Sequence, residues 1–425
     1  MQPTLVPERP AATTATTAAA ATTVIDGDPA APRSLRLALV TETYPPEVNG
    51  VAMTVAKLVA GLRARGHQLQ LVRPRQHADE CGVTANAADA FHEVLLRGLP
   101  IPRYPQLKMG LPAGRALARR WKWQRPDLVH IATEGPLGWS ALQAARQLGL
   151  PVTSDFRTNF HAYSQHYGIG WLQRPIMAYL RSFHNRTHCT MVPTEALRKT
   201  LVEQGLRNVA VVARGVDTQQ FTPARRSEAL RASWGAGPQT RVVACVGRLA
   251  PEKNLALLLR AFEAMCARQP DCRLLLVGDG PLRAALQARC PPAVFAGNRS
   301  GDDLAAHYAS ADAFVFPSVT ETFGNVTPEA MASGLPVLAF DYAAAGRLIE
   351  HGANGLVVPL HDNDSFVAQA QWLVQQTDRG AALGHAARRT ALAQPWHGVV
   401  AQVEALMRAA LAHCPATPFT VLSPG

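Results

Sequence analysis

A chain of 425 residues, 48% of them hydrophobic and 17% charged, is too long for one ordinary core and apolar enough for two or three domains of about 150 residues each. It has no run of 18 or more apolar residues, which argues against a membrane-spanning helix. The net charge of +11 is uneven: residues 31–215 hold 24 Lys/Arg against 11 Asp/Glu, whereas residues 216–425 hold 17 of each. A basic first half suits nucleic acid, an anionic membrane face or an anionic substrate, and the surrounding sequence has to choose.

The first 33 residues are rich in Ala, Thr and Pro and lack both the basic start and the apolar core of a signal peptide. They read as a disordered tail on a cytoplasmic protein. Next comes an apolar strand, "LRLALV", a loop "TETYPPEVNG", a helical pattern from Val51 to Arg65 closed by Gly66, and a second strand, "HQLQLVRP". Strand, crossover helix and strand make the unit of a parallel sheet covered on both faces. "DLVHIAT", "PVTSDF", "CTMVPT" and "VAVVAR" continue the series, with helices expected near 138–148, 171–186 and 194–203. A non-strand region from Arg214 to Thr240 then breaks the rhythm and sets a domain boundary.

The second half repeats the pattern with "RVVACV", "CRLLLV", "AFVFPS", "PVLAF" and "GLVV" as strands. The expected division is a tail over 1–33, an α/β domain over 34–214, a second over 215–394, and a final helix and tail over 395–425 that packs back on one of the domains. Two doubly wound domains in tandem enclose a cleft, and open parallel sheets bind ligands beyond the carboxyl ends of their strands. Seven scattered cysteines (Cys81, Cys189, Cys245, Cys266, Cys272, Cys290 and Cys414) form no CxxC pair and read as ordinary thiols.

The most specific loop is "ETFGNVTPE", residues 321–329. Thr327 followed by Pro328 reads as a helix cap and first turn, with Gly334 as the stop. A glycine-containing approach to a helix start offers backbone N–H groups and a positive dipole end to a phosphate. Glu329 suits the dipole of that first turn as well as it suits a ligand. Glu321 precedes the cap and gives the helix no support, so a donor of hydrogen bonds such as a sugar hydroxyl is its natural partner. In "GRLAPEKN", Arg248 follows a strand end and Lys253 precedes Asn254, an expected helix cap; both cations are placed to meet phosphate oxygens in the cleft. Asn49 and Gly50 open a helix in the first domain, where a glycine lets backbone approach a ligand closely. "GDGPLR" is no dinucleotide fingerprint, and the DxD pairs Asp26/Asp28 and Asp362/Asp364 read as loops, so no metal is expected.

Assembled, these residues resemble the large family of retaining glycosyltransferases with two Rossmann-like domains, the GT-B architecture of glycosyltransferase family 4. The motif is a Glu, seven residues and a Glu, here Glu321 and Glu329, with "GRLAPEKN", "GDGP", "FAGNRSGDDLAAHYASADAFVFPS" and "ARGVDTQQFTP" in family order. The resemblance implies a nucleotide diphosphate sugar, GDP-mannose or UDP-glucose, held by the second domain without a metal or other cofactor. Arg248 and Lys253 would hold the diphosphate, with the amides near Gly324, Asn325 and Val326. Glu321 would hold the transferred hexose, Glu329 the ribose, and the segment near Gly297 would face the base.

"FRTNFHAYSQHYG" is similar to a narrower branch of bacterial glycolipid mannosyltransferases and glucosyltransferases and sulfoquinovosyl diacylglycerol synthases, in which many members carry His where this chain has Arg157. A catalytic contribution from that position would then pass to Arg157, to His161, or to neither. The branch implies a lipid or glycolipid acceptor and peripheral contact with the inner face of the cell membrane, to which "RRWKWQR" (Arg119 to Arg125) would offer Trp and cations. A soluble enzyme acting on a sugar or small metabolite shares the same donor site. Nucleic acid is the weaker alternative, since 6% aromatic content provides little base stacking and no recognised nucleic-acid module is present.

Overall fold

A computed structural model describes residues 33–47, 49–77, 80, 90–101, 104–157 and 173–413. The N-terminal tail with Asp26 and Asp28, Cys81, His161 and Cys414 lie outside the described residues. The first sheet contains β1 (Arg36–Val40), β2 (Gln68–Pro74) and β3 (Phe91–Leu96), then, beyond a hairpin of β4 (Gly98–Ile101) and β5 (Tyr104–Gly110), β6 (Leu128–Ile131), β7 (Val152–Asp155), β8 (Cys189–Val192) and β9 (Val209–Val211). Its strands are all parallel, in the order β3-β2-β1-β6-β7-β8-β9. The second sheet contains β10 (Arg241–Val246), β11 (Cys272–Val277), β12 (Val294–Gly297), β13 (Ala313–Phe316), β14 (Val337–Phe340) and β15 (Leu356–Val358), also all parallel, in the order β12-β11-β10-β13-β14-β15.

Both orders run outward from the first strand in one direction and then in the other. Each sheet therefore has a switch point beside its first strand, between β1 and β6 and between β10 and β13, where consecutive loops part and leave a crevice. Two Rossmann-like domains result, as the strand and helix series led us to expect. The central strands are buried on both faces, which is why they read as unbroken apolar runs: Val242 to Val246 and Leu274 to Val277 are all nearly inaccessible.

Several elements escape the sequence reading. Strand β3 is half-buried along its whole length and mixes His92 and Glu93 with its apolar residues, so it shows no apolar run. The β4–β5 hairpin, strand β12 and the helices Gly114–Trp123 and Gly301–Ala309 were likewise not anticipated. Helix Gly114–Trp123 is dominated by Arg and Lys on its outer face and buries only Leu117, Ala118 and Trp121. The region 214–240 holds a short turn at Pro223–Arg225 and a helix at Glu228–Ser233, and Val216 forms a lone bridge with Pro395.

From that bridge the final helix, Trp396–Ala412, packs on the helix Gly50–Ala64 of the first domain. Val400, Val403 and Met407 join Val55, Leu58 and Leu62 in one apolar cluster, and a side chain larger than hydrogen at Gly61 would collide with Val400. Glu404 anchors the contact: it accepts from Arg65 and from Arg408 (2.7 Å), with His67 Nε2 at 3.3 Å. Burial alone would raise that carboxyl, but the bonds from Arg65 and Arg408 and the adjacent His67 hold it down at about 2. No described helix is long and apolar enough to cross a membrane.

Candidate active site

The loops that leave β10 and β13 meet at the switch point of the second sheet. Gly247 leaves β10 with φ +146°, a short turn covers Pro251–Lys253, and helix Leu255–Arg268 follows. Asn254 occupies the cap position, but in the left-handed conformation (φ +51°) and with no capping bond from its side chain, unlike the expected cap. The "GDGP" turn is pressed against this loop: a Cβ at Gly278 would collide with the carbonyl of Gly247, and one at Gly280 with that of Leu249. Gly278 N–H also donates to the carbonyl of Gly297 at 2.8 Å, which ties the end of β12 to the same corner. Arg248 is partly exposed, with Nη1 4.0 Å from the buried carboxylate of Glu252.

Lys253 reaches from this loop to the next. Its Nζ donates to Oε1 of Glu321, the same oxygen that accepts from Ser318 Oγ at 2.7 Å. The two side chains are 14% and 13% exposed, so the pair is screened only at its outer edge. Nζ also lies 5.4 Å from the centre of the Phe316 ring, within range of attraction to its face. Tyr342 donates its hydroxyl to the Glu321 carbonyl at 2.8 Å and fixes the backbone beneath the carboxylate.

Gly324 has φ +86° and lies against the Glu321 side chain; a Cβ there would stand 3.4 Å from Glu321 Cγ. That turn sends Asn325 directly into helical geometry (φ −55°, ψ −26°), so the helix Val326–Ala332 begins one residue before Thr327. The expected Thr327 cap is thus corrected: Thr327 and Pro328 are both buried within the first turn, and no side chain caps this helix. Gly334 (φ +78°) stands just beyond its end.

Glu329 occupies the first turn but does not simply face solvent. Tyr308, on helix Gly301–Ala309, donates to its Oε2 at 2.9 Å. Burial pushes the carboxyl up to about 7, against the opposing effect of the Tyr308 bond. Tyr308 itself is fully buried and its hydroxyl is raised well above the ordinary value by burial and by the adjacent carboxylate.

The loop also touches the first domain. Asn325 Nδ2 lies 3.4 Å from the carbonyl of Gly50 and 3.4 Å from Thr54 Oγ1, at the start of helix Gly50–Ala64. Asn49 caps that helix by accepting from Ala52 N–H at 2.8 Å. Lys57 on the same helix pairs with Asp217 at 2.7 Å. At the switch point of the first sheet lie two carboxylates that sequence reading missed. Glu42 accepts from the backbone of Gly110 and of Leu137 (2.9 Å), and burial raises its carboxyl; Glu134 is buried, with Oε1 3.7 Å from His184 Nε2.

Arg157 stands two residues beyond β7 and donates through Nη2 to Asp155. Asp155 also meets His130 Nε2 at 3.1 Å, and Arg157 and His130 outweigh burial to hold its carboxyl well below the usual range. Lys253 and Glu321, and Asn325 and Gly50, are therefore brought together in the structure, whereas Glu329 is engaged by Tyr308 and Arg157 by Asp155 on the opposite sheet. Ser318, Tyr308, Tyr342, His130 and Asp155 gave no local motif of their own. No group of three or more His, Cys, Asp or Glu among the described residues is arranged to hold a metal ion. Asp362, of the DxD pair, caps helix Asn363–Gln375, and Asp364 pairs with Arg260 at 3.3 Å.

Residues 48–220 match the family described as Glycosyltransferase Family 4, and residues 240–376 the one described as Glycosyl transferases group 1. Among similar proteins, a GDP-mannose-dependent alpha-mannosyltransferase of Mycobacterium tuberculosis is 37% identical over 367 residues, 85% of this chain and 93% of the relative. Sulfoquinovosyl transferase SQD2 of Arabidopsis thaliana is 29% identical, covering 89% of this chain and 75% of its own. An alpha-monoglucosyldiacylglycerol synthase of Streptococcus pneumoniae is 26% identical, covering 74% and 73%. The solved structure of sucrose-phosphate synthase from Thermosynechococcus elongatus superimposes with a TM-score of 0.70 at 18% identity, over 89% of this chain and all of that one. With the paired acids, the loop cations and the two switch-point crevices already in place, these likenesses establish that the chain belongs to glycosyltransferase family 4, the GT-B glycosyltransferases.

Proposed function

We propose that this enzyme transfers a hexose with retention of configuration from a nucleotide diphosphate sugar to a hydroxyl of a membrane lipid or glycolipid. The observation that carries the reading is the Lys253–Glu321 pair at the second sheet's switch point, a cation and an anion already desolvated where donor and sugar would lie. Arg248 and Lys253 take the diphosphate, with the amides of Gly324, Asn325 and Val326 on its oxygens. Glu321 accepts from hydroxyls of the transferred hexose, and Glu329 from the ribose. The segment at Gly297 faces the base, and Gly50 closes on the donor from across the cleft. Charge developing on the leaving diphosphate is met by cations and fixed amides, so no metal is needed. The acceptor hydroxyl attacks on the face from which the diphosphate departs. His161 and Arg157 remain the first-domain candidates for positioning the reacting groups.

The mannosyltransferase relative favours GDP-mannose over UDP-glucose as donor, and the diacylglycerol-named relative favours a lipid acceptor. Membrane contact gains support from the basic helix Gly114–Trp123. Trp121 is buried and donates to Gln70 at 2.7 Å, so it is a packing residue, but Trp123 is 88% exposed beside Lys122. Peripheral binding at the inner face of the cell membrane follows, with headgroup contact by Trp123.

Glu321→Gln keeps the shape of the side chain but not its charge, and should lower transfer by at least 100-fold while GDP still stabilises the protein against heat. Full transfer by this variant would overturn the assignment of Glu321. A thermal screen of nucleotide sugars identifies the donor, since a ligand at about 100 times its dissociation constant adds about 2.7 kcal/mol.

Glu329 makes donor binding depend on pH. Its folded carboxyl lies above the unfolded value of about 4.3, so the protonated form is favoured by the fold, and stability without ligand declines as pH rises from there to about 7. Ribose hydroxyls donate to the ionised form, so the donor dissociation constant should fall about tenfold between pH 6 and pH 8. Calorimetric titration checks this: Glu329→Gln should bind weakly and without that slope, and an unchanged slope in the variant contradicts the role.

Sedimentation with anionic vesicles addresses the acceptor. The wild type should partition onto them and Trp123→Ala should do so several-fold less; a wild type that stays in solution supports a sugar or small-metabolite acceptor instead.

A further inference from the structure

Near the ends of β7 and β9, the carboxyl edge of the first sheet brings two buried arginines close to one carboxylate, Asp155. Arg157 is 6% exposed and its Nη2 donates to Asp155; its Nε and Nη1 are buried and have no hydrogen-bond partner among the described residues. Arg214 is 9% exposed, three residues beyond the end of β9, and lies close enough to feel the charges of both Arg157 and Asp155. Asp155 is shared further with His130, whose other ring nitrogen meets Thr153 Oγ1 at 3.0 Å. Two buried guanidinium groups thus lie near one carboxylate. Burial, followed by the like charge of Arg157, pushes the Arg214 guanidinium down to about 9 in spite of Asp155. Leaving two buried guanidinium nitrogens without partners is costly to a fold. A guanidinium N–H without a partner in such a place is a natural donor to an oxyanion.

The position is equally specific. β6, β7, β8 and β9 are successive neighbours in the sheet, and β6 adjoins β1, from whose end the chain runs to Gly50 and its contact with Asn325. The arginines therefore lie along the sheet edge that the donor loop of the second domain approaches.

We propose that Arg157 and Arg214 together seat one oxyanion group, a phosphate, sulfonate or carboxylate carried by a substrate. This rests on the transferase reading above and deepens it by requiring an anion in the first-domain half of the reaction. The anion has two sources: a charged group on the acceptor, such as a lipid headgroup phosphate, or the diphosphate of the donor reaching across the cleft.

The test uses the full-length protein, inorganic phosphate and GDP, with chloride at matched ionic strength as the control. Phosphate should raise the melting temperature of the wild type by several degrees, and should do so much less in Arg157→Gln and Arg214→Gln. Without phosphate, Arg214→Gln should melt at or above the wild-type temperature, because one of two like charges sharing Asp155 has been removed; an arginine with a purely structural role would lower it. Phosphate that still binds at saturating GDP, with GDP affinity in Arg214→Gln within about twofold of wild type, assigns the seat to the acceptor. Phosphate displaced by GDP, with GDP binding weakened at least tenfold in the variant, assigns it to the donor. A wild type indifferent to phosphate, or variants stabilised by it as much as the wild type, overturns the proposal. Phosphate binding is read without any transfer assay, so it can succeed where the transferase reading fails, and the reverse.

Discussion

The ion pair between Lys253 and Glu321 joins the two loops on which the second domain's site depends. Each loop leaves a strand next to the reversal of strand order, and without the reversal the two would not diverge around a crevice. The pair is mostly buried, so neither charge tolerates loss of the other without a new partner. Such an arrangement suits a site that exchanges its internal partners for a ligand's: a phosphate for the lysine and hydroxyl donors for the glutamate. In the proposed reading the site is preorganised, with both charges in place before the substrate arrives.

The two domains contribute differently. The second supplies a corner in which backbone packs on backbone, through Gly247, Gly278 and Gly280, and which positions Arg248 and Lys253 beside the acid-flanked loop. The first supplies buried charges at its own strand ends: Glu42 and Glu134 at its switch point, and Asp155, Arg157 and Arg214 farther along the edge. The final helix, anchored by Glu404 to Arg65 and His67, returns the chain from the second domain to the back of the first domain's opening helix. That helix begins at Gly50, the residue against Asn325, so one element links the rear contact to the cleft.

How much of this was legible in the sequence depended on whether the cause was local. Strands such as "RVVACV" announced themselves because both of their faces are buried, and Glu321 stood out because no local role accounted for it. Strand β3 was hidden because half-burial permits His and Glu among its apolar residues. The Thr327 cap failed because the left-handed turn at Gly324 lets the helix start earlier, a competition that residue preferences do not rank. The Tyr308–Glu329 bond and the Arg157–Arg214 cluster are tertiary: their members lie 21 and 57 positions apart, and only the packed fold brings them together.

The role of the Lys253–Glu321 pair is tested most directly by a structure of the protein with an intact, slowly transferred nucleotide sugar bound. In that structure the Lys253–Glu321 bond should be broken, with Lys253 and Arg248 on the diphosphate and the Glu321 carboxylate within hydrogen-bond distance of a hexose hydroxyl. A bound donor that leaves the pair intact and lies outside the crevice between β10 and β13 would contradict that role.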